Sequence, residues 1–199
     1  LISGQHVDFE KIHTEGITKI TTEDMKYAKK LNMAIKLLAS SKRVGDTFSV
    51  LVAPMLLSEE HPLCNVNDVF NAVFVRGNML GDAMFYGSGA GKLPTASAVV
   101  ADVVDAAKHL HRNVVTRWDA GELELIPNAE AEHRFFVRVQ GRSEAQKEQI
   151  REAFGSVEIV ETEGLEDEFG FITEVMTEGT YSKKAEAFPE IIHMIRLAD

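Results

Sequence analysis

The stretch Ala83-Met84-Phe85-Tyr86-Gly87-Ser88-Gly89-Ala90-Gly91-Lys92-Leu93-Pro94-Thr95-Ala96-Ser97-Ala98-Val99-Val100-Ala101-Asp102-Val103-Val104 changes its period in the middle. Residues 80–86 are apolar or aromatic over a strand-sized length. After the glycines, Ala96, Val99, Val100, Val103, Val104 and Ala107 recur at helical spacing, with Ser97, Asp102, Asp105 and Lys108 on the rest of the wheel. Pro94 suits a first helical residue, because its fixed φ and missing N–H cost nothing there. The stretch therefore predicts strand, glycine-rich turn and helix.

Working outward, residues 69–75 pair as a hairpin with 80–86 around Arg76-Gly77-Asn78, where glycine permits positive φ. Upstream, Thr21-x-x-Asp24 fits a capping box and predicts a helix to about Leu31, with Asn32 as its stop. Residues 34–39 and 47–53 read as two strands meeting at Gly45-Asp46, across a polar stretch at 40–44. Downstream, residues 113–132 hold Trp118, Gly121 and Pro127 without a periodic pattern and read as a boundary. Beyond it the expected order is a strand with Phe135, Val137 and Val139 alternating, a helix at 143–154, strands at 157–161 and 169–176, a helix at 181–189 and a strand at 191–197. That is βαββαβ, the order of a ferredoxin-like unit with two helices on one face of a four-stranded antiparallel sheet. The fold class read from the whole chain is α+β, a mixed or antiparallel sheet covered by helices and followed by that unit.

The 199 residues include 45% hydrophobic and 26% charged side chains, the balance of an ordinary folded protein. A net charge of −10 without a Lys/Arg cluster argues against nucleic acid as a partner. No run approaches the ~20 apolar residues of a membrane span. One cysteine, Cys64, forms neither an internal disulfide nor a multi-thiolate metal site, and a cytoplasmic location is expected. The chain begins at Leu1 without a methionine or signal-peptide pattern, and is read as a fragment.

Few residues suggest chemistry. Gly87, Gly89, Ala90 and Gly91 lead into a helix N-terminus, where bare backbone and free N–H groups suit a phosphate; a tight turn that needs its glycines is the plainer reading. It is not a Rossmann fingerprint, because no βαβ unit surrounds it. His61, His109, His111 and His193 lack metal-ligand spacing and read as lone surface histidines, and no metal site is expected. Cys64 reads as a bystander thiol, and Glu59-Glu60 and Glu166-Asp167-Glu168 as solvated turns.

From Gly81-Asp82 through Met84-Phe85-Tyr86-Gly87, Gly89-Ala90-Gly91 and Leu93-Pro94-Thr95-Ala96-Ser97-Ala98-Val99-Val100 to Asp102, the sequence resembles a block of the bacterial homoserine dehydrogenase family. Thr14-Glu15-Gly16-Ile17, Ile20, Glu23-Asp24, Tyr27-Ala28-Lys29 and the turn His61-Pro62-Leu63 to Asn65-Val66-Asn67 resemble other stretches of that family, so the likeness covers about residues 4–105. It implies a catalytic and dimerisation domain truncated at its start over residues 1–120, a linker at 121–132, and an ACT-like regulatory domain at 133–199. It also implies NAD(P)-dependent interconversion of L-homoserine and L-aspartate 4-semialdehyde, in the biosynthesis of threonine, methionine and isoleucine.

In that family the nucleotide-binding domain and the residues for proton transfer and substrate binding precede this region, so no catalytic residue is expected here and the chain alone is expected to be inactive. The resemblance makes Gly89 the foremost contact to NADP or NAD, with Ala90, Gly91 and Gly87 beside it, and treats Lys92 as solvated. It implies a homo-oligomer, dimer or tetramer, joined through the strands at 34–53. In the tail, Val139-Gln140-Gly141-Arg142-Ser143-Glu144 replaces the usual Asp-x-x-Gly ligand turn of ACT domains, although Gly141 supplies a glycine. Threonine as an effector and a purely structural tail are therefore weighed equally. The rival to an enzyme fragment is a non-enzymatic regulatory or dimerising module.

Overall fold

The computed structural model describes residues 3–115 and 117–198. In chain order the elements are β1 (His13–Thr14), α1 (Thr22–Lys30), β2 (Met33–Val44), β3 (Thr47–Ser58), β4 (Phe70–Gly77), β5 (Gly81–Ser88), α2 (Lys92–Lys108), β6 (Glu132–His133), β7 (Phe135–Gln140), α3 (Glu144–Phe154), β8 (Val157–Val160), β9 (Glu168–Thr173), β10 (Met176–Thr177), α4 (Glu178–Ala185) and β11 (Ile191–Leu197).

The capping box forms as read. Thr21 Oγ1 accepts from the Asp24 N–H, the Asp24 carboxylate accepts from the Thr21 N–H, and α1 gives way to Asn32 at φ 54. β2 and β3 are each 12 residues long, well beyond 34–39 and 47–53. The polar residues 40–44 extend β2 because each pairs across the hairpin, from Met33↔Ser58 to Val44↔Thr47. Gly45, at φ 62, takes the first central position of the two-residue turn. The second hairpin pairs Phe70↔Ser88 to Gly77↔Gly81, shifted from the expected bounds so that Asn78, Met79 and Leu80 make the turn.

Seven strands form one sheet, and β3 organises it. On one side β3 carries β2 antiparallel along its whole length. On the other it pairs in parallel with β1 at Leu51 and Val52, then with β11 at Met55 and Leu56. Pro54 falls between these two partners, where its missing N–H breaks no ladder. From β11 the sheet continues antiparallel through β7, β9 and β8. With helices α3 and α4, that is the 4-1-3-2 strand order of a ferredoxin-like unit, as read from the sequence. The expected strand at 169–176 ends at Thr173, and β10 instead pairs with β6. The last helix starts at Glu178 rather than 181, because Thr177 caps it through the Thr180 N–H.

Strand alternation splits the core into two layers. Phe136, Ile172, Ile195 and Leu197 pack with Leu56 against Tyr27 and Ala28 of α1. Phe135, Val137, Val139, Phe169 and Phe171 pack against Ile150 and Phe154 of α3 and Tyr181 of α4. The stretch 121–132 is stitched in rather than free: Phe48 donates its N–H to Glu124 and accepts from the Ile126 N–H, and Leu123 and Ala131 are buried.

The β4–β5 hairpin and α2 stand apart from this core. No residue of α2 is buried, and its periodic valines 99, 100, 103 and 104 are 46–63% exposed. Phe70, Val73, Phe85, Tyr86 and Leu93 are exposed on the same arm.

Candidate functional site

The glycine loop joins β5 to α2, at the end of the hairpin opposite its 78–80 turn. Its glycines differ in what their surroundings require. Gly91, at φ 120, caps α2 without any side-chain hydrogen bond, so the first-turn N–H groups of Lys92 and Leu93 have no side-chain cap. The helix starts two residues before Pro94, which sits in its first turn rather than at its first position. Gly89 donates its N–H to the Val69 carbonyl and lies under the Asn71 carboxamide; a Cβ there would fall 1.6 Å from Asn71 Nδ2. Gly87 pairs with Asn71 in the hairpin, has no positive φ, and would have nothing within 4 Å of an added Cβ. Gly87, Gly89, Ala90 and Gly91 are all exposed, as is Lys92.

The turn before the hairpin is anchored to the sheet. His61 Nδ1 accepts from the Leu63 N–H, its ring meets Phe74 edge-on, and Lys36 on β2 reaches the Val66 carbonyl and the Asn67 side chain at 2.7 Å. Cys64 is half-buried in this turn. His109 bonds the Asp105 carbonyl of its own helix. No group of three or more His, Cys, Asp or Glu side chains converges as for a metal among the described residues.

Two buried arginine clusters join the first half of the chain to the tail, and neither was read from the sequence. On the α1 face, Arg138 is 4% exposed and donates to Asp24 at 2.9 Å, to Thr21 Oγ1 and to both oxygens of Glu168. His193 completes it, with Nδ1 3.0 Å from the Asp24 carboxylate. Burial alone would raise the Asp24 carboxyl, but His193, the Thr21 N–H and Arg138 outweigh it and hold it well below the usual carboxylate range. In the second cluster, Arg196 is 2% exposed and donates to Glu178 and to both oxygens of Glu15, which also bonds His13. Burial pushes Glu15 up, yet Arg196 and His13 prevail and hold it at about 2.

These clusters correct two readings. His193 is not a lone surface histidine, and Glu168 belongs to a buried ion pair rather than a solvated turn. The available signal was an arginine between apolar neighbours, Val137-Arg138-Val139 and Ile195-Arg196-Leu197, since a charge buried in a strand requires a buried counter-charge.

The site is thus an exposed glycine loop on an α+β body, between a strand and a helix that starts without a side-chain cap. The homoserine dehydrogenase family model matches residues 1–104, half of the sequence including that loop, and the chain belongs to this family. Homoserine dehydrogenase of Neisseria gonorrhoeae is 36% identical over 152 residues, covering 72% of this chain and 35% of the relative. That of Bacillus subtilis is 43% identical over 109 residues, 55% of this chain and 25% of the relative. The solved structure of a homoserine dehydrogenase from Thiobacillus denitrificans superposes with a TM-score of 0.82 at 30% identity, over 96% of this chain and 48% of that one. The chain thus spans less than half the length of these proteins.

Proposed function

We propose that this chain is part of an NAD(P)-dependent homoserine dehydrogenase interconverting L-homoserine and L-aspartate 4-semialdehyde, and that it contributes one wall of the cofactor site. The family match across the glycine loop carries the reading. Gly87 supports it from geometry: neither its backbone conformation nor its packing requires glycine here, so an occupant beyond the chain's own contacts accounts for it. The uncapped start of α2 adds N–H groups and the positive end of the helix dipole. A bound nicotinamide supplies the hydride chemistry; Gly87, Gly89, Ala90 and Gly91 leave room for it. The residues that move protons and hold the substrate are proposed to lie outside this sequence, which makes the chain alone inactive.

The division into a catalytic and dimerisation domain at 1–120, a linker at 121–132 and an ACT-like domain at 133–199 belongs to this proposal, as does a cytoplasmic homo-oligomer. β2 supports the oligomer, since among the described residues it pairs only with β3 and leaves an open edge on the sheet. Threonine as effector has less support. Gly141 turns the loop at φ 104, but the Gln146 side chain fills the space above it, 2.4 Å from where a Cβ would stand.

The test is NADH or NADPH absorbance with L-homoserine and either oxidised cofactor. No turnover by the 199-residue chain, with turnover by the intact protein, is the expected result. Gly87→Val is the sharper probe, because valine suits a strand and meets nothing within this chain. In the intact protein it should raise the cofactor KM about tenfold or more, a loss of roughly 1.4 kcal/mol, and leave the homoserine KM nearly unchanged. An unaltered cofactor KM would remove this loop from the site.

A further inference from the structure

The sheet has one interruption. Beside Pro54, the pairing of β3 with β1 has ended and its pairing with β11 has not begun, and a recess of about 220 Å³ opens there. Its walls include Glu15, Lys19, Ile20, Pro54, His193 and Met194. We propose that this recess binds a small carboxylate with a short aliphatic body, its carboxylate held by Lys19 and His193.

The polar groups of the recess divide into committed and uncommitted. Glu15 is committed: both oxygens take Arg196, and Oε1 also meets His13 at 2.6 Å, so its charge is balanced within the protein. The Lys19 ammonium has no partner among the described residues, and it is a strong donor beside the gap. His193 is half committed. Asp24, 0% exposed and itself balanced by Arg138, takes the Nδ1–H and leaves Nε2 facing the recess, where it donates to a carboxylate when the ring is protonated. Two nitrogen-bearing side chains, one of them oriented by a buried carboxylate, suit an anionic oxygen pair.

Ile20, Pro54 and Met194 supply the apolar part of the lining. The volume lies below the roughly 300–1,000 Å³ of drug-sized pockets, which limits the ligand to a few non-hydrogen atoms. An occupant would touch both the 14–20 segment and β11, bridging the parts of the chain that the two arginine clusters join. The inference does not rest on the proposed oxidoreductase activity.

The experiment is calorimetric titration of the intact protein, at constant ionic strength, with sodium isobutyrate, L-valine and isobutylammonium chloride. Expected are saturable binding of a carboxylate probe, its weakening by about tenfold or more in Lys19→Met, and no binding of isobutylammonium. Lys19 is exposed, so this variant keeps the fold; His193→Ala provides a second, independent loss. Tighter binding of L-valine than isobutyrate would identify the ligand as an α-amino acid, and the reverse order a simple acid; both support the site. No saturable binding of either carboxylate at millimolar concentrations, binding indifferent to Lys19→Met, or equal binding of isobutylammonium would each overturn it.

Discussion

Gly170 shows how closely the α1 layer is packed. A Cβ there would stand 2.5 and 2.9 Å from ring carbons of Phe136 and 3.2 Å from the Tyr27 ring, both buried and packed against each other at a tilt, 5.2 Å between centroids. Gly170→Ala should therefore cost about 1–3 kcal/mol through overpacking, read as a lower urea midpoint with an unchanged m-value. An unchanged midpoint would mean that the rings yield freely. Glu15 sets a pH dependence. Its folded pKa, about 2, lies below the ordinary 4.5, so its contribution is full above about 4.5 and disappears as pH falls toward 2. In Glu15→Gln the loss of stability across that window should be smaller than in the parent, measured by urea unfolding at several pH values; equal slopes would refute it. At this scale the caps were legible, because Thr21 and Asp24 act within four residues of each other. The second role of Asp24, as partner of Arg138 and His193, was not, because those partners are 114 and 169 residues away.

The helices were more legible than the strands. Ser143, expected as the first helical residue, instead caps α3, with Gln146 closing the box from the other side, and Ser143→Ala should cost about 1 kcal/mol. Chemical denaturation checks it, and Ser143→Asp should restore most of the loss, whereas no difference between alanine and aspartate would exclude the cap. Strand lengths were misjudged wherever polarity was taken for an end: residues 40–44 are polar yet paired, since an antiparallel hairpin edge can face water. α2 shows the reverse. Its apolar periodicity predicts a helix, and the helix forms, but the valine face meets no core in this chain. Periodicity reports that a face wants burial, not what buries it.

The molecule as a whole is joined across the boundary that composition suggested. β11 adds the tail to β3 by backbone hydrogen bonds, and Arg138 and Arg196 reach back to Asp24 and Glu15. The amides of β3 and β9 should therefore exchange with solvent through one common opening in native-state hydrogen exchange. Opening free energies that differ by several kcal/mol would show two separately unfolding units. The sequence by itself determined the α+β class, the βαββαβ order of the tail, the positions of the capped helices and the family, because these are written in local periodicity, cap chemistry and contiguous motifs. Only the tertiary structure decided that Pro54 marks a gap between two partners of β3, that two arginines are buried in ion clusters, and that the glycines of one loop serve different ends. Those features depend on residues far apart in the chain, whose meeting is fixed by sheet pairing and burial rather than by any local pattern.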